Sequence, residues 1–259
     1  METINCLDKG YVQLIDIFGD ELTIVNAARV SFGAEKKTLS EGDIKLMRYL
    51  YKEKHMSPFR HLMFRFKIKA PEFVMRQLYK HVVGIEATSD ANNQLHGWNE
   101  LSGRYKPIND YYTDFTWRMQ SKDNKQASAG EAPPALQDRF TTKMNMFMDI
   151  MSTFYDEMLE SGIAKEQARM ILPLTMYSEV IWTASAQAVL NFIELRDHDH
   201  AQHEIRVYAQ AMRDMLSKRF PVLASIWFPP PPVPPTPQET PSSSSSSSSK
   251  GGVDFVETW

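Results

Sequence analysis

The segment from Met75 to Tyr105 concentrates polar side chains that could bind an anionic, ring-shaped compound. In a helix, Gln77, Lys80 and His81 would share one face, because residues three and four apart are neighbours on a helical surface. The loop after this helix contains WNELSGRY, residues 98–105, which offers a carboxylate, a hydroxyl, a glycine backbone and a guanidinium. Cations suit a phosphate, and fixed donors and acceptors suit the edges of a base. The set is typical of a nucleotide site, although a solvated surface could carry the same residues.

A second cluster, RDHDHAQHE, lies at residues 196–204. His200, His203 and Glu204 have the spacing of zinc ligands on one helix, with Asp197 or Asp199 nearby. The chain has no HExxH pattern. Apolar residues follow at helical spacing: Ile205, Tyr208, Ala209 and Met212. This pattern favours a helix that begins here with acidic residues at its N-terminus, and we predict no metal site.

A mixture of strands and helices must position these groups. Alternating polarity predicts strands at YVQLIDIF (11–18) and HLMFRFKIKA (61–70), and YSEVIWTA (177–184) is predicted as a short strand between helices. Helical spacing and start signals predict helices at 21–32, 41–54, Pro71 to Gly84, about 135–161, 185–196 and 201–219. Strands and helices do not alternate regularly, so we predict a single mixed α+β domain.

Composition limits the class of protein. Of 259 residues, 42% are apolar and 24% are charged, which is typical of a globular domain. The net charge of −3 gives no support for nucleic-acid binding. No apolar run is long enough for a membrane span and no signal peptide is evident, so we predict a cytoplasmic protein. The proline- and serine-rich end predicts a folded domain at 1–228 and a disordered tail at 229–259.

Cys6 is the only cysteine, so no internal disulfide can form. A nucleophilic thiol needs a nearby cation or histidine to lower its pKa, and the surrounding sequence supplies none. We therefore predict that Cys6 is a packing residue.

Six segments occur in a recognisable order: LDKGYVQLIDIFGDELTIVNAARVSF, HMSPFRH, KAPEFVMRQLYKH, WNELSGRY, ARMILPLTMYSEVIWTASAQAVLNFIELR and HAQHEI. Together they resemble the flavin-dependent thymidylate synthases over nearly all of residues 5–220, apart from an insertion near 84–96. The resemblance implies that family's α+β fold and a homotetramer with active sites between subunits. It also implies reductive methylation of dUMP to dTMP, with methylenetetrahydrofolate as carbon donor, FAD as hydride carrier, NADPH as reductant and no cysteine nucleophile.

By position, the resemblance assigns dUMP binding to Gln77, Lys80, Glu100, Ser102, Gly103, Arg104, Arg169 and Arg196. Arg196 matches the arginine thought to stabilise the ionised uracil ring. A fixed guanidinium beside a developing anion is electrostatic catalysis. The alternative for Arg196 is a charge that interacts with the C-terminal dipole of its own helix.

The same comparison assigns FAD binding to His55, Ser57, Lys80, His81, Glu100, Ser185, Gln187 and Asn191. This half departs from the family pattern. The family's Arg-His-Arg is Lys80-His81-Val82 here, and Ser185 and Gln187 replace an asparagine and an arginine. Arg60 replaces a glutamate. We predict altered FAD binding in which Arg60 supplies the charge missing at Val82. The alternative is that Arg60 lies in solvent and that the site binds FAD more weakly.

Two other functions stay open on the sequence alone. A metal-dependent nucleotide hydrolase would use the HDHAQHE cluster and would carry stoichiometric zinc. A catalytically inactive relative, such as a regulatory RNA-binding protein, would bind nucleotide without turnover. Bound flavin would favour the synthase over the hydrolase.

Overall fold

Helices surround an antiparallel sheet in the computed structural model, which describes residues 2–82, 97–125 and 127–229. The strands are β1 (Glu2–Cys6), β2 (Gly10–Phe18), β3 (Met63–Pro71), β4 (Gly97–Glu100), β5 (Arg118–Gln120), β6 (Ser128–Glu131) and β7 (Tyr177–Ser185). The helices are α1 (Glu21–Arg29), α2 (Glu41–Lys52), α3 (Glu72–Leu78), α4 (Pro134–Glu160), α5 (Lys165–Ala168), α6 (Ala186–Arg196), α7 (His203–Arg219) and α8 (Pro221–Trp227). Single 3₁₀ turns lie at Val30–Phe32, Ser57–Arg60 and Arg169–Ile171.

The main sheet has the strand order β1-β2-β3-β7-β4, and every neighbouring pair is antiparallel. β5 and β6 form a separate two-stranded ribbon. Because side chains alternate along a strand, β3 presents one apolar and one polar face. The apolar face is completely buried: Leu62, Phe64, Phe66 and Ile68. On the other face, Lys67 forms an ion pair with Glu179 at 2.8 Å. The predicted half-buried strand and the mixed α+β class are confirmed.

One large apolar core lies between the sheet and the helices, with Trp182 from β7, Phe192 from α6 and Met212 from α7 among its fully buried members. Cys6 belongs to this core and is 1% exposed. Burial raises the pKa of its thiol to about 12. The prediction that Cys6 is a packing residue is confirmed.

Close packing at the start of β2 requires a glycine. The Tyr208 hydroxyl donates a hydrogen bond to the Lys69 carbonyl oxygen at 2.9 Å. A Cβ atom at Gly10 would lie 2.0 Å from that hydroxyl and 2.7 Å from the Cys6 carbonyl oxygen. Any side chain at Gly10 would therefore push α7 away from the sheet.

The helix predicted after Pro71 is shorter than expected. α3 ends at Leu78, and the Lys80 N–H donates to the Gln77 carbonyl oxygen in a tighter turn. Gln77, Lys80 and His81 therefore do not share a helical face, and that prediction is wrong. The physical reason is a tertiary contact of His81, described below, which outweighs local helix propensity. Gly84, the insertion at 84–96 and all of the predicted tail except Pro229 lie outside the described residues.

Candidate active site

His81 and Arg196 meet where α3 and α6 end. The Arg196 Nε–H donates to His81 Nε2 at 3.2 Å. His81 is only 5% exposed, and its ring packs edge-on against Phe192 with ring centroids 5.0 Å apart. Burial, together with the adjacent guanidinium, lowers the pKa of His81 from 6.5 to about 4. His81 is therefore neutral near pH 7, with its proton on Nδ1, because Nε2 must accept the bond from Arg196.

Gln77 is held by a chain of polar contacts. Its Nε2 donates to Gln202 Oε1 at 2.8 Å. Gln202 in turn donates to Glu204, whose carboxylate binds Arg118 Nη1 at 2.8 Å. One of the two N–H groups of the Gln77 amide is thereby used, and Oε1 can accept a hydrogen bond from a ligand. Sequence reasoning missed Arg118, since it lies far from every motif in the chain.

The loop after β4 begins with a fixed carboxylate. Glu100 Oε1 accepts a hydrogen bond from Ser178 at 2.6 Å, and Oε2 accepts one from Trp98 Nε1 at 3.1 Å. The backbone of Leu101 donates to the Glu179 carbonyl oxygen at 2.8 Å, which extends the β4–β7 pairing into the loop. Glu100 is therefore held by the sheet itself.

Arg169 lies against this loop. A Cβ atom at Gly103 would come within 3.4 Å of Arg169 Cδ and 3.0 Å of Ile108 Cδ1. The absence of a side chain at Gly103 lets the two segments approach closely. The exposed guanidinium groups of Arg104 and Arg169 thus belong to one surface with Ser102. The structure brings together the residues predicted in this part of the nucleotide site.

Three predicted cofactor residues, Lys80, His81 and Glu100, lie with the nucleotide residues described above. The others lie around the turn Ser57–Arg60 and on the first turns of α6. His55 and Ser57 are exposed and line a cavity of about 570 Å³, together with Arg29, Phe32 and Tyr49. Arg60 extends from the same turn toward α6, and its Nε donates to Gln187 Oε1 at 2.7 Å.

Two of the predicted cofactor residues already have protein partners. The Ser185 hydroxyl accepts the Ala188 N–H at 3.2 Å and caps α6. Gln187 is 7% exposed, and its amide oxygen binds Arg60. Asn191 is half-buried on the next turn of α6, and Lys80 is exposed beyond α3. Two cations lie in this region: Arg29, which lines the cavity, and Arg60, which binds Gln187.

The histidine cluster at 196–204 does not converge. α7 begins at His203 with Glu204 in its first turn, so His200 lies outside the helix. Glu204 forms an ion pair with Arg118. Within the described ranges, no group of three or more potential metal ligands is found. The predicted helix start with acidic residues is confirmed.

The two predicted halves lie at opposite ends of β7. Ser178, which binds Glu100, is near its beginning, and Ser185 is its last residue. At ~3.3 Å per residue they are on the order of 20 Å apart. No helix among residues 2–82, 97–125 and 127–229 has the length and apolar character of a membrane span.

Comparison with known proteins places these features in one family. The family model described as thymidylate synthase complementing protein matches residues 13–222. The flavin-dependent thymidylate synthase of Thermus thermophilus is 38% identical over 221 residues, covering 85% of this chain and 76% of the relative. That of Kosmotoga olearia is 37% identical over 220 residues, covering 85% and 90%.

Solved structures agree with the sequence comparison. The UMP/dUMP methylase PolB from Streptomyces cacaoi, bound with 5-Br dUMP, superposes with a TM-score of 0.72 and 27% identity, covering 86% of this chain and 96% of that one. The Arg196–His81 pair, the Ser102–Arg104 loop and the matched length together lead to one conclusion: the chain belongs to the family of flavin-dependent thymidylate synthases.

Proposed function

We propose that this chain converts dUMP to dTMP, with methylenetetrahydrofolate as carbon donor, FAD as hydride carrier and NADPH as reductant. The observation that carries the proposal is the guanidinium of Arg196, held by a neutral, buried His81. A family of thymidylate synthases and similar structures of a UMP/dUMP methylase support the choice of substrate.

Arg196 can stabilise negative charge on the pyrimidine ring. Its bond to His81 uses Nε, so the terminal nitrogens can donate to a ligand. Because His81 is neutral, it holds the guanidinium without adding a competing charge. A preorganised donor beside a ring that becomes anionic lowers the barrier to attack of ring carbon 5 on an electrophile.

Gln77 complements Arg196 by reading the ring edge. Its Nε2 is bound to Gln202, so Oε1 would accept an N–H such as that of uracil N3. The exposed guanidinium groups of Arg104 and Arg169 would bind the phosphate, because a planar fork matches two phosphate oxygens. This arrangement would bind a nucleoside monophosphate at both ends: Gln77 and Arg196 at the base, and Arg104 and Arg169 at the phosphate.

The residues around the Ser57–Arg60 turn fit a flavin dinucleotide. The cavity beside His55 and Ser57 has aromatic walls suited to a flat ring, and Arg60 supplies the cation that a pyrophosphate needs. When bound, FAD would supply hydride transfer. The protein's part is to hold it through Arg60, Ser57 and Asn191.

No thiol takes part in the proposed reaction. Cys6 lies in the core, and its high pKa keeps it protonated near pH 7. Nucleophilic attack by a cysteine needs a thiolate that can reach the substrate.

We also propose a homotetramer whose sites are shared between subunits. The nucleotide and cofactor groups are too far apart along β7 for one chain to bring both to the same reacting atoms. α4 also exposes an apolar stripe opposite its buried face: Met146, Phe147, Ile150 and Phe154. Such patches mark interaction surfaces.

The direct test follows dTMP formation and NADPH oxidation with dUMP and methylenetetrahydrofolate, with and without added FAD. UMP is assayed beside dUMP, because the similar solved structures are of a UMP/dUMP methylase. We expect FAD-dependent turnover of dUMP. A flavin-loaded, folded protein that binds dUMP but gives no product would contradict the proposal and favour a nucleotide-binding protein without catalysis.

A further inference from the structure

Glu72, the first residue of α3, carries a buried carboxylate oxygen without a partner. Its backbone N–H donates to the Met176 carbonyl oxygen at 2.9 Å, which fixes the residue beside the start of β7. The side chain is 19% exposed, and Oε2 has no hydrogen-bond partner within the described part of the chain. Arg76 Nε lies 3.5 Å from the other oxygen, and its side chain is 66% exposed. A buried carboxylate oxygen without a donor is costly.

A second carboxyl group, that of Glu100, lies at the same place: Glu100 accepts a hydrogen bond from Ser178 of β7, two residues after the Met176 carbonyl that binds the Glu72 backbone. Burial first, and then the charge of Glu100, raise the pKa of Glu72, while Arg76 opposes the shift. Glu100 differs from Glu72 because both of its oxygens accept hydrogen bonds, from Ser178 and Trp98. Oε2 of Glu72 has no such donor within the described part of the chain, so burying its ionised form is costly.

We propose that Glu72 and Glu100 share one proton, that Glu72 carries it, and that the resulting donor fixes the Glu100 carboxylate toward the nucleotide. Two ionised carboxylates near each other repel, and a proton on the partly buried Glu72 removes that repulsion. The proton also turns the unpartnered Oε2 of Glu72 into a donor. Glu72 is thus a positioning residue that acts through Glu100.

The shared proton also sets the charge of the site. With Glu72 protonated, the pair presents one negative charge to an anionic nucleotide instead of two. The role of Glu100 toward dUMP rests on the proposed function, whereas the shared proton is a property of the chain alone. The test therefore has one part without ligand and one part with dUMP.

The part without ligand measures thermal unfolding against pH for the full chain, Glu72→Gln, Glu100→Gln and the double variant. A raised folded-state pKa means that Glu72 contributes stability below its ordinary value of 4.5, which is lost as pH rises through the folded-state pKa. Glu72→Gln cannot titrate, so its melting temperature should rise relative to that of the wild type as pH increases above 4.5. The gain should shrink when Glu100 is also Gln, because the repulsion has gone. A difference between wild type and Glu72→Gln that stays constant with pH would overturn the shared proton.

The part with ligand measures the dUMP dissociation constant against pH by calorimetry. Glu72→Gln keeps a donor, so it should match the wild type at low pH and bind more tightly once wild-type Glu72 ionises. Glu72→Leu removes the donor and should bind on the order of tenfold more weakly than the wild type at low pH, where wild-type Glu72 is protonated, and the difference should shrink as pH rises. Glu21→Gln is the matched control, since Glu21 is also a partly buried glutamate with a raised pKa, but its carboxylate contacts the Leu223 N–H instead. It should retain the wild-type pH profile.

The outcomes separate the two ideas. If Glu72→Leu binds dUMP like the wild type, with the same pH profile, Glu72 does not position Glu100. If neither the wild type nor any variant binds dUMP, the proposed function is wrong. The unfolding data alone then show whether Glu72 and Glu100 share a proton.

Discussion

The proposed nucleotide half and the proposed cofactor half of the site hold their polar side chains by different means. Glu100 is fixed by strand pairing and two donors, and Gln77 by a chain of contacts that ends at Arg118. Around the Ser57–Arg60 turn, by contrast, the polar groups depend on one another: Arg60 is held by a single bond to Gln187. Side chains held by strand pairing depend on their exact positions in the sheet, so substitutions there are poorly tolerated. Two side chains that bind each other can be replaced together by another complementary pair. The departures from the family pattern at Arg60, Ser185 and Gln187 fall in the second half.

The largest effect should follow from removing the ring-stabilising charge. Arg196→Ala should lower the rate of dTMP formation by ~10²–10³, the usual cost of one donor to a developing anion. Flavin content, measured by absorbance, should stay near normal, because the contact described for Arg196 is with His81 and not with the Ser57–Arg60 turn. Arg206→Ala is the control, since Arg206 pairs only with the exposed Asp199 among the contacts described. Normal turnover of Arg196→Ala would remove the catalytic role.

A smaller loss is expected in the cofactor half. Arg60→Ala should weaken FAD binding by about 1.5–3 kcal/mol, the range for hydrogen bonds to charged groups, and Arg60→Glu should weaken it further. Fluorescence titration of the apoprotein gives both constants. Gln187→Arg with Arg60→Glu tests the exchange directly, because it returns the cation to α6. FAD constants unchanged in both single variants would leave Arg60 as a surface residue.

The link between the halves can be tested through His81. The pKa of His81 is lowered from 6.5 to about 4 in the folded state. The contribution of His81 to the free energy of unfolding is therefore fully present above pH 6.5 and is lost as pH falls toward 4. His81→Asn keeps an acceptor but does not titrate. The stability advantage of the wild type over this variant should therefore shrink as pH falls from 6.5 to 4 in thermal unfolding. An advantage that does not change with pH would mean that folding does not lower the pKa of His81.

Ser185 should separate a structural from a cofactor role. Ser185→Ala removes the cap of α6 and should lower the free energy of unfolding by ~1 kcal/mol. The FAD constant, extrapolated to fully folded protein, should not change. A large loss of FAD affinity in a variant of normal stability would assign the hydroxyl to the cofactor instead.

The smallest effect on catalysis is expected for Cys6. Cys6→Ala should retain most of its dTMP formation, while the free energy of unfolding falls because a buried side chain is shortened. Turnover per folded protein is the quantity to compare. Loss of turnover with normal FAD binding would bring a thiol back into the mechanism.

Residues with a local signal were predicted well, and residues that depend on tertiary contacts were not. β2, β3 and β7 follow from their apolar and polar patterns, and α4 and α7 from helical spacing. β4 has only four residues and gains its structure by pairing with β7, so nothing local distinguishes it from a loop. The end of α3 was missed for the same reason, since burial of His81 decides it.

The site shows the same division. Motif order was enough to identify Glu100, Ser102 and Arg196 as candidates. The orientation of the Gln77 amide and the pairing of Arg60 with Gln187 could not be predicted, because they depend on contacts between residues more than 100 positions apart. Sequence distance hides such pairs, because each partner alone looks like an ordinary polar residue.

The separation of the two groups along β7 has a genetic consequence. If each site combines the nucleotide half of one subunit with the cofactor half of another, then Arg196→Ala and Arg60→Glu damage different contributors to the same site. Mixed tetramers assembled from the two defective chains would contain some sites in which both contributors are intact. Two inactive alleles expressed together should therefore restore growth without thymidine, although neither does so alone.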